Sequence, residues 1–495
     1  MRLNDLPEKR TFQGKKAVSA PPLTLGISRS GWLLLLLLAG AALRLWFIHS
    51  FPLIDGDSLL YGDIAKNWLS HGIYGRSLYG DAGRTIQPTL ARLPGYPAFL
   101  AVCFYIFGLE NYRAVLYVQG FLDLLSCLLI SGFVLQVCGR RAAGIALLLT
   151  ALCPFTASYA ATPLAETPSI FCIALGFYSL AAFLRRPRTW RLVPLVFSWS
   201  FAALLRPEGA LLAVVLCISL VFGGWRSLGG TRTLRLAAAC VFFSVLPFVP
   251  WTLRNAATFH VFQPLVGRSA TDPGEFTAPG FDLWMKSWAV DFTATSEIYW
   301  NAGSDKLDIR ALPSRAFDNP EQYRQTAALL ADYNRTTTIT PEMDARFASL
   351  AAERTHHHPL RSYIALPVLR LADMWLRPRL ELLDVPLRWW QYGLHPAATW
   401  FALFYGALNL FYLAAAIPGA LRWPRPPESL LSAMLGLIAL RSLLLATLAA
   451  PETRYTVECL PLVMALAAAG LAGTTPTQTN RQDRAQVAAP HTLPA

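Results

Sequence analysis

Apolar residues lie in long, nearly uncharged runs along this chain rather than in the amphipathic patterns of soluble domains. The first run, residues 31–50, is long enough to cross a bilayer as a helix, which takes about 20 residues. Ten such runs are present, at residues 31–50, 115–137, 142–160, 169–184, 192–205, 210–222, 236–251, 397–417, 429–448 and 457–471. We therefore predict an all-α polytopic membrane protein with a bundle of ten spans.

Two further apolar segments do not fit a simple crossing. Residues 96–107 would cover only about half of a bilayer at 1.5 Å per residue, so we expect an interfacial or re-entrant helix. Residues 360–376 contain Arg361, Arg370 and Asp373, which favours an interfacial amphipathic helix. If this second segment spans the membrane instead, the chain has eleven spans and its C-terminus lies outside.

Arginine clusters in short connectors predict the orientation of the bundle. The connectors 139–141, 185–191, 223–235 and 422–428 each carry two to four arginines, whereas the short connectors 161–167 and 449–455 carry none and one. Basic connectors stay in the cytoplasm. We therefore expect both termini inside, and we read the net charge of +13 as a consequence of topology.

The pattern divides the chain into five parts. An uncleaved first helix is favoured over a cleaved signal peptide, because the run is long and many spans follow it. Outside the spans, residues 255–359 hold 13 acidic and 9 basic residues, and Thr340 can cap a helix that starts at Pro341. The parts are a cytoplasmic tail (1–30), an N-terminal transmembrane module (31–254) with a first outer loop (51–113), a mostly helical extracytoplasmic segment with interfacial helices (255–396), C-terminal transmembrane helices (397–472) and a disordered tail (473–495).

Composition excludes several classes of protein. Hydrophobic residues make up 54% of the chain and charged residues only 15%, which argues against a soluble enzyme, and no domain carries the clustered basic face that binds nucleic acid. The eight cysteines lie in or beside apolar runs without metal-ligand spacing, so we expect no disulfide framework and no metal site. The consecutive His356, His357 and His358 point in different directions on any regular element and indicate an exposed turn.

Chemistry-bearing residues concentrate at the outer ends of the predicted spans. Asp55 and Asp57 follow the first run directly, and Tyr61 lies one helical turn after Asp57. Carboxylates at a membrane rim cost solvation free energy unless they are paired or used. A solvated loop with a surface ion pair is the alternative interpretation. The other candidates on this side are Arg92 and Tyr96 in RLPGYP, Glu166 in LAETPS, Arg206 in LLRPEGA, Arg254, and Arg454 with Tyr455 in ETRYTVECLP.

Taken in order, these motifs resemble the GT-C membrane glycosyltransferases, in the branch that holds protein O-mannosyltransferases, lipid A aminoarabinose transferases and RgtA-like enzymes. The resemblance covers nearly all of the membrane part between residues 31 and 470, and it does not extend into residues 255–359. It implies transfer of a sugar from a polyprenyl-phosphate carrier to an acceptor on the outer face of a bacterial inner (plasma) membrane. The resemblance also implies that membrane lipids surround the protein. It does not identify the acceptor, and it does not decide whether a divalent cation is used.

Carried over residue by residue, the resemblance makes Asp57 the candidate general base and Tyr61 its aromatic partner. It assigns Arg92 to the donor phosphate, and it matches Glu166 to the acid in the outer turn before the fourth span. Many relatives read Asp-Glu at the first position, whereas here a glycine separates Asp55 from Asp57. Both carboxylates therefore remain candidates for the base, and the spacing to Tyr61 favours Asp57.

The proposed chemistry is also consistent with the residues alone. Displacing a phosphate from a sugar needs a base for the acceptor hydroxyl and cations for the leaving phosphate, which Arg92, Arg206, Arg254 and Arg454 can supply. A transporter or flippase of a lipid-linked sugar is the first alternative, and a non-catalytic membrane scaffold is the second. Transporters place their charged residues near the bilayer midplane in paired halves, a pattern that this sequence lacks.

Overall fold

The computed structural model describes residues 29–80, 83–265, 271–424 and 428–473. Nearly all of the two predicted tails lies outside these residues. The described chain is mostly helical, and one antiparallel hairpin is its only sheet. The helices up to the extracytoplasmic segment are α1 (Arg29–Ser50), α2 (Asp57–His71), α3 (Gly95–Phe107), α4 (Tyr112–Cys138), α5 (Arg140–Ala151), α6 (Pro154–Tyr159), α7 (Glu166–Arg185), α8 (Leu192–Leu205), α9 (Ala210–Leu228), α10 (Gly230–Val245) and α11 (Phe248–Phe259).

The remaining helices are divided between residues 255–396, which we call the extracytoplasmic segment after its predicted location, and the C-terminal part of the chain. The extracytoplasmic segment contains α12 (Pro279–Lys286), α13 (Phe292–Ala294), α14 (Pro320–Thr336), α15 (Pro341–His357) and α16 (Leu366–Leu376). The C-terminal part contains α17 (Pro396–Leu421), α18 (Glu428–Leu445), α19 (Arg454–Val457) and α20 (Leu460–Ala472). Single 3-10 or π turns lie at Thr189–Arg191, Pro207–Gly209, Thr295–Tyr299, Ile309–Ala311, Ser314–Ala316 and Arg361–Ala365.

Each predicted apolar run is helical, which confirms the polytopic helical fold. Within the described residues, six helices are long and apolar enough to cross a membrane: Gly31–Ser50, Tyr112–Cys138, Glu166–Arg185, Pro207–Leu228, Gly230–Phe259 and Pro396–Leu421. The run at 142–160 is broken between α5 and α6, where Pro154 cannot continue the preceding helix. Helix α3 has only 13 residues, in keeping with the short segment predicted there.

The centre of the bundle is built around α20, whose small side chains are almost all buried. Helix α17 packs closely against α20. If Gly419 of α17 carried a Cβ atom, that atom would lie only 1.7 Å from the carbonyl oxygen of Leu466 on α20. Helix α1 is fastened at the edge of the bundle by a buried ion pair, with 2.6 Å between Arg44 Nη2 and Asp123 Oδ2. The arginine that interrupts the first apolar run therefore has a partner inside the protein.

The first outer loop contains a β-hairpin that the sequence pattern did not predict. Strand β1 (Gly75–Gly80) pairs with β2 (Gly83–Pro88) in antiparallel register. Asp63 on α2 holds this hairpin, because its carboxylate accepts hydrogen bonds from the backbone N–H and the hydroxyl of Ser77 at 2.6 and 2.7 Å. The short strands are fixed by a tertiary contact rather than by their own apolar pattern.

The extracytoplasmic segment has its own hydrophobic core. Trp284, Trp288 and Phe347 are completely buried in it, and Thr340 caps α15 through a 3.3 Å hydrogen bond from the backbone N–H of Met343, as predicted. This core includes Ala449 from the connector before α19. The folded segment therefore contacts the connector between α18 and α19, which leads directly into Arg454 and Tyr455.

Candidate active site

Asp57 is the first residue of α2. The preceding Gly56 has φ 49° and ψ −112°, a conformation that suits glycine and turns the chain sharply into the helix. An acid in the first turn is favoured by the helix dipole. The Asp57 side chain is 30% exposed, so its carboxylate can be reached from outside the protein.

Two arginines from distant parts of the chain hold the Asp57 carboxylate. Arg92 Nη2 lies 2.8 Å from Oδ1, and Arg454 Nη1 lies 3.4 Å from Oδ2. Arg92 comes from the Pro-rich turn before α3, and Arg454 begins α19. Burial alone would raise the pKa of Asp57, but the two guanidinium groups outweigh it and keep that pKa below its ordinary value.

Aromatic rings form one wall beside this carboxylate. The Arg92 guanidinium lies 5.8 Å from the centre of the Tyr61 ring, and Tyr61 meets Tyr96 edge to face at 5.0 Å between ring centres. The Tyr96 hydroxyl donates to Gln119 Oε1 at 2.8 Å, which fixes the ring. The sequence candidates Asp57, Tyr61, Arg92 and Tyr96 are therefore neighbours in the structure.

The connector before α19 contributes a second carboxylate. Arg454 Nε lies 2.5 Å from Glu452 Oε2, and the Tyr455 hydroxyl donates to Glu452 Oε1 at 2.7 Å. Burial raises the pKa of Glu452, although Arg454 opposes this effect. Arg454 thus bridges Asp57 and Glu452.

A third group of charged residues lies where α7 begins and α8 ends. Glu166 is fully buried and lies 2.5 Å from Arg206 Nη2, and the Arg206 guanidinium lies 5.8 Å from the Tyr455 ring centre. Glu458 and Arg441 extend this network, with 3.1 Å between Glu458 Oε1 and Arg441 Nη2. Sequence reasoning did not single out these two residues, although Arg441 interrupts the apolar run 429–448 and such charges usually have a partner.

Two sequence candidates lie apart from these contacts. The exposed Asp55 side chain accepts a 2.7 Å hydrogen bond from the backbone N–H of Gly56. Arg254 donates to the carbonyl oxygens of Thr89 at 2.8 Å and Tyr74 at 2.6 Å. Neither Asp55 nor Arg254 forms an ion pair with the Asp57 group in the described part of the chain.

The structure also shows the surroundings of the three consecutive histidines and of the glycosylation sequon. His356, His357 and His358 are exposed at the end of α15. The side chain of Asn334, the acceptor residue of a glycosylation sequon, is engaged in two hydrogen bonds with the backbone of Leu307. Across residues 29–80, 83–265, 271–424 and 428–473, three or more His, Cys, Asp or Glu side chains do not converge in a metal-binding arrangement.

Comparison with known proteins gives one family match. Residues 88–251 match the model of the dolichyl-phosphate-mannose-protein mannosyltransferases. This stretch contains Arg92, Tyr96, Glu166 and Arg206, but neither Asp57 nor Arg454. No curated protein matches the chain.

The comparison with solved structures gives partial matches to two kinds of protein. The Archaeoglobus fulgidus oligosaccharyltransferase AglB, in complex with an inhibitory peptide and a dolichol-phosphate, has a TM-score of 0.45 and 11% identity over 94% of this chain and 53% of that chain. The apo form of the oligosaccharyltransferase from this organism has a TM-score of 0.49 and 13% identity, with the same coverage. ArnT from Cupriavidus metallidurans, bound to undecaprenyl phosphate, has a TM-score of 0.35 and 13% identity over 94% of this chain and 82% of that chain.

The chain spans about half the length of these oligosaccharyltransferases. The family match begins just before the RLPGYP motif and ends in α11, so it covers most of the N-terminal transmembrane module. It confirms the resemblance that the motifs indicated: over residues 88–251 this chain is similar to the dolichyl-phosphate-mannose-protein mannosyltransferases, within the GT-C membrane glycosyltransferases.

Proposed function

We propose that this protein is an integral-membrane glycosyltransferase that moves a sugar from a polyprenyl-phosphate-linked donor to an acceptor on the outer face of the membrane. The observation that carries the proposal is the Asp57 carboxylate between the guanidinium groups of Arg92 and Arg454. A carboxylate beside two cations is the set of groups that displacement of a phosphate from a sugar requires. The family match over residues 88–251 supports the same reaction class.

In the proposed reaction, Asp57 takes the proton of the acceptor hydroxyl while that oxygen attacks the anomeric carbon. The bond between this carbon and the phosphate oxygen breaks, and its electron pair leaves with the phosphate. Because the pKa of Asp57 lies below its ordinary value, the carboxylate is ionised at neutral pH and can accept the proton. A general base of this kind contributes roughly 10²–10⁴-fold to the rate.

Arg92 and Arg454 are assigned to the leaving phosphate. Arg92 contacts Asp57 through Nη2 at 2.8 Å and Arg454 contacts it through Nη1 at 3.4 Å. Each of these amino groups carries two N–H donors, so a second donor can reach an anion beside the carboxylate. Their side chains are 24% and 20% exposed, which allows a lipid headgroup to approach. Guanidinium forks match the geometry of phosphate oxygens.

The remaining candidates have supporting roles in this proposal. Tyr61, Tyr96 and Tyr455 line the sugar-binding wall, and the buried pair of Glu166 and Arg206 holds that wall in place. Arg254 is assigned to the outer loop rather than to the donor, because its guanidinium already binds two backbone carbonyls. The arginine-rich connectors support an active site outside the cytoplasm.

The test is to incubate the purified protein in detergent micelles with labelled polyprenyl-phosphate hexoses and pentoses and candidate acceptors. We expect one donor to be consumed with formation of a labelled product and free polyprenyl phosphate. A flippase moves its substrate between two compartments, which micelles do not provide. Movement of the label across sealed vesicles, without turnover in micelles, would therefore contradict the proposal and favour the flippase.

A further inference from the structure

Arg379 is a buried arginine in the segment between α16 and α17, outside the contacts described above. It is 4% exposed and donates to the carbonyl oxygen of Thr453 at 2.9 Å and to the hydroxyl of Thr456 at 2.8 Å. Its Nε also donates to Asn409 Oδ1 on α17 at 3.3 Å. One guanidinium therefore joins three separate parts of the chain.

Burial of this side chain is costly, which argues that its contacts matter. All three hydrogen-bond acceptors are neutral, and burial lowers the pKa of Arg379 although the Glu381 carboxylate opposes the effect. An apolar side chain could fill the same space without this desolvation cost. Only the planar fork of an arginine reaches a carbonyl and a hydroxyl at once in fixed directions.

The element that Arg379 holds carries Arg454. Helix α19 consists of the four residues Arg454–Val457, which is too short to be stable without outside contacts. The Thr456 hydroxyl also donates to the carbonyl oxygen of Met374 at the end of α16, at 3.0 Å. Helix α19 is therefore held by hydrogen bonds from Arg379 and also from Arg441, whose Nε donates to the carbonyl oxygen of Tyr455 at 2.9 Å.

We propose that Arg379 is a positioning residue for Arg454: by binding Thr453 and Thr456 it keeps the Arg454 guanidinium against the Asp57 carboxylate. This inference rests on the proposed function for its effect on catalysis. Arg379 makes no contact with Asp57 in the described structure, so it acts only through α19. It also links α19 to the end of the extracytoplasmic segment.

The test compares Arg379→Met with Arg370→Met. Arg370 is equally buried but donates to the carbonyl oxygens of Ala289 and Lys286, inside the extracytoplasmic segment. Hydrogen exchange of residues 449–458 is measured first, since it needs no substrate. We expect at least tenfold faster exchange in the Arg379 variant and no change in the Arg370 variant. Unchanged exchange in both would overturn the inference.

Kinetics then test the effect on the site. Arg379→Met should lower kcat/KM for the donor at least tenfold and move the acid limb of the pH profile to higher pH, because Asp57 loses one of its two cations. The effect should shrink below threefold when Arg454→Met is already present. A loss of activity that merely follows the loss of folded protein, with an unchanged pH profile, would overturn the inference.

Two further outcomes keep the inference separate from the proposed function. If Arg379→Met does not fold, Arg379→Lys is used instead: it retains the charge but not the fork, and it should show the same faster exchange and the same shifted acid limb. Wild-type behaviour of that variant would contradict the positioning role. If the wild-type protein consumes no donor while the exchange result holds, the proposed function fails and the structural link to Arg454 stands.

Discussion

Replacement of Asp57 by Asn tests the proposed base most directly. Asn preserves the size of the side chain and one hydrogen-bond acceptor, but it cannot take a proton from the acceptor hydroxyl. We expect transfer to fall by at least ~10²-fold, within the roughly 10²–10⁴-fold range of general-base catalysis. At about 1.4 kcal/mol per factor of ten, this corresponds to about 3 kcal/mol or more on the barrier.

The structure indicates a much smaller effect on folding. The Asp57 side chain is 30% exposed, and its contacts with Arg92 and Arg454 measure 2.8 and 3.4 Å. Ion pairs with this degree of exposure contribute at most about 1 kcal/mol each, because solvent screens them. The variant should therefore express and unfold nearly as the wild type does, so that lost transfer can be attributed to chemistry.

The assay follows release of polyprenyl phosphate from a labelled donor at saturating and limiting concentrations. Asp55→Asn is the matched control, because the Asp55 side chain is exposed and, among the described residues, bonds the N–H of the neighbouring Gly56. Its turnover should stay within about threefold of wild type, an ordinary surface effect. If the Asp55 variant is inactive and the Asp57 variant is not, the base has been assigned to the wrong carboxylate. Normal turnover in both would refute the mechanism and favour the flippase alternative.

Three further predictions concern the donor, the pH response and the topology. Arg92→Ala should raise the donor KM about tenfold, since it removes a charge-assisted contact to the phosphate. It should also move the acid limb of the pH–rate profile to higher pH, because the pKa of Asp57 rises when a neighbouring cation is removed. A pH series of KM and kcat/KM checks both effects. Burial raises the pKa of Asp373 to about 6, with Arg377 opposing, so the folded state binds more protons than the unfolded state between pH 4 and 6. The contribution of Asp373 to the free energy of unfolding should therefore fall by up to about 3 kcal/mol as pH rises through this window. Thermal unfolding of Asp373→Asn, compared with wild type at pH 4 and pH 7, should lack this contribution. A reporter fused at Arg188 should indicate the cytoplasm and one fused at Asn319 the outside; an external signal at Arg188 would overturn the orientation. Protease added from outside should leave most of residues 279–376 intact.

Local pattern determined the helical architecture and most of the candidate residues. Long apolar runs can satisfy their backbone groups in a membrane only as helices, so their positions follow from composition alone. Thr340 was identified as a cap because capping depends on residues three positions apart. The pairing of Asp57 with Tyr61 could likewise be predicted from the sequence, because only one helical turn separates the two residues.

Tertiary structure alone decided which charges meet. Arg454 lies 397 positions from Asp57 along the chain, and no periodicity relates residues at such a distance. Helix packing likewise brings Arg441 to Glu458. It also brings Arg379 within hydrogen-bond distance of the carbonyl oxygen of Thr453 beside α19. Sequence showed which ionisable groups needed partners, because unpaired charge is costly at a membrane. Only packing selected the partners, since each choice depends on the whole bundle.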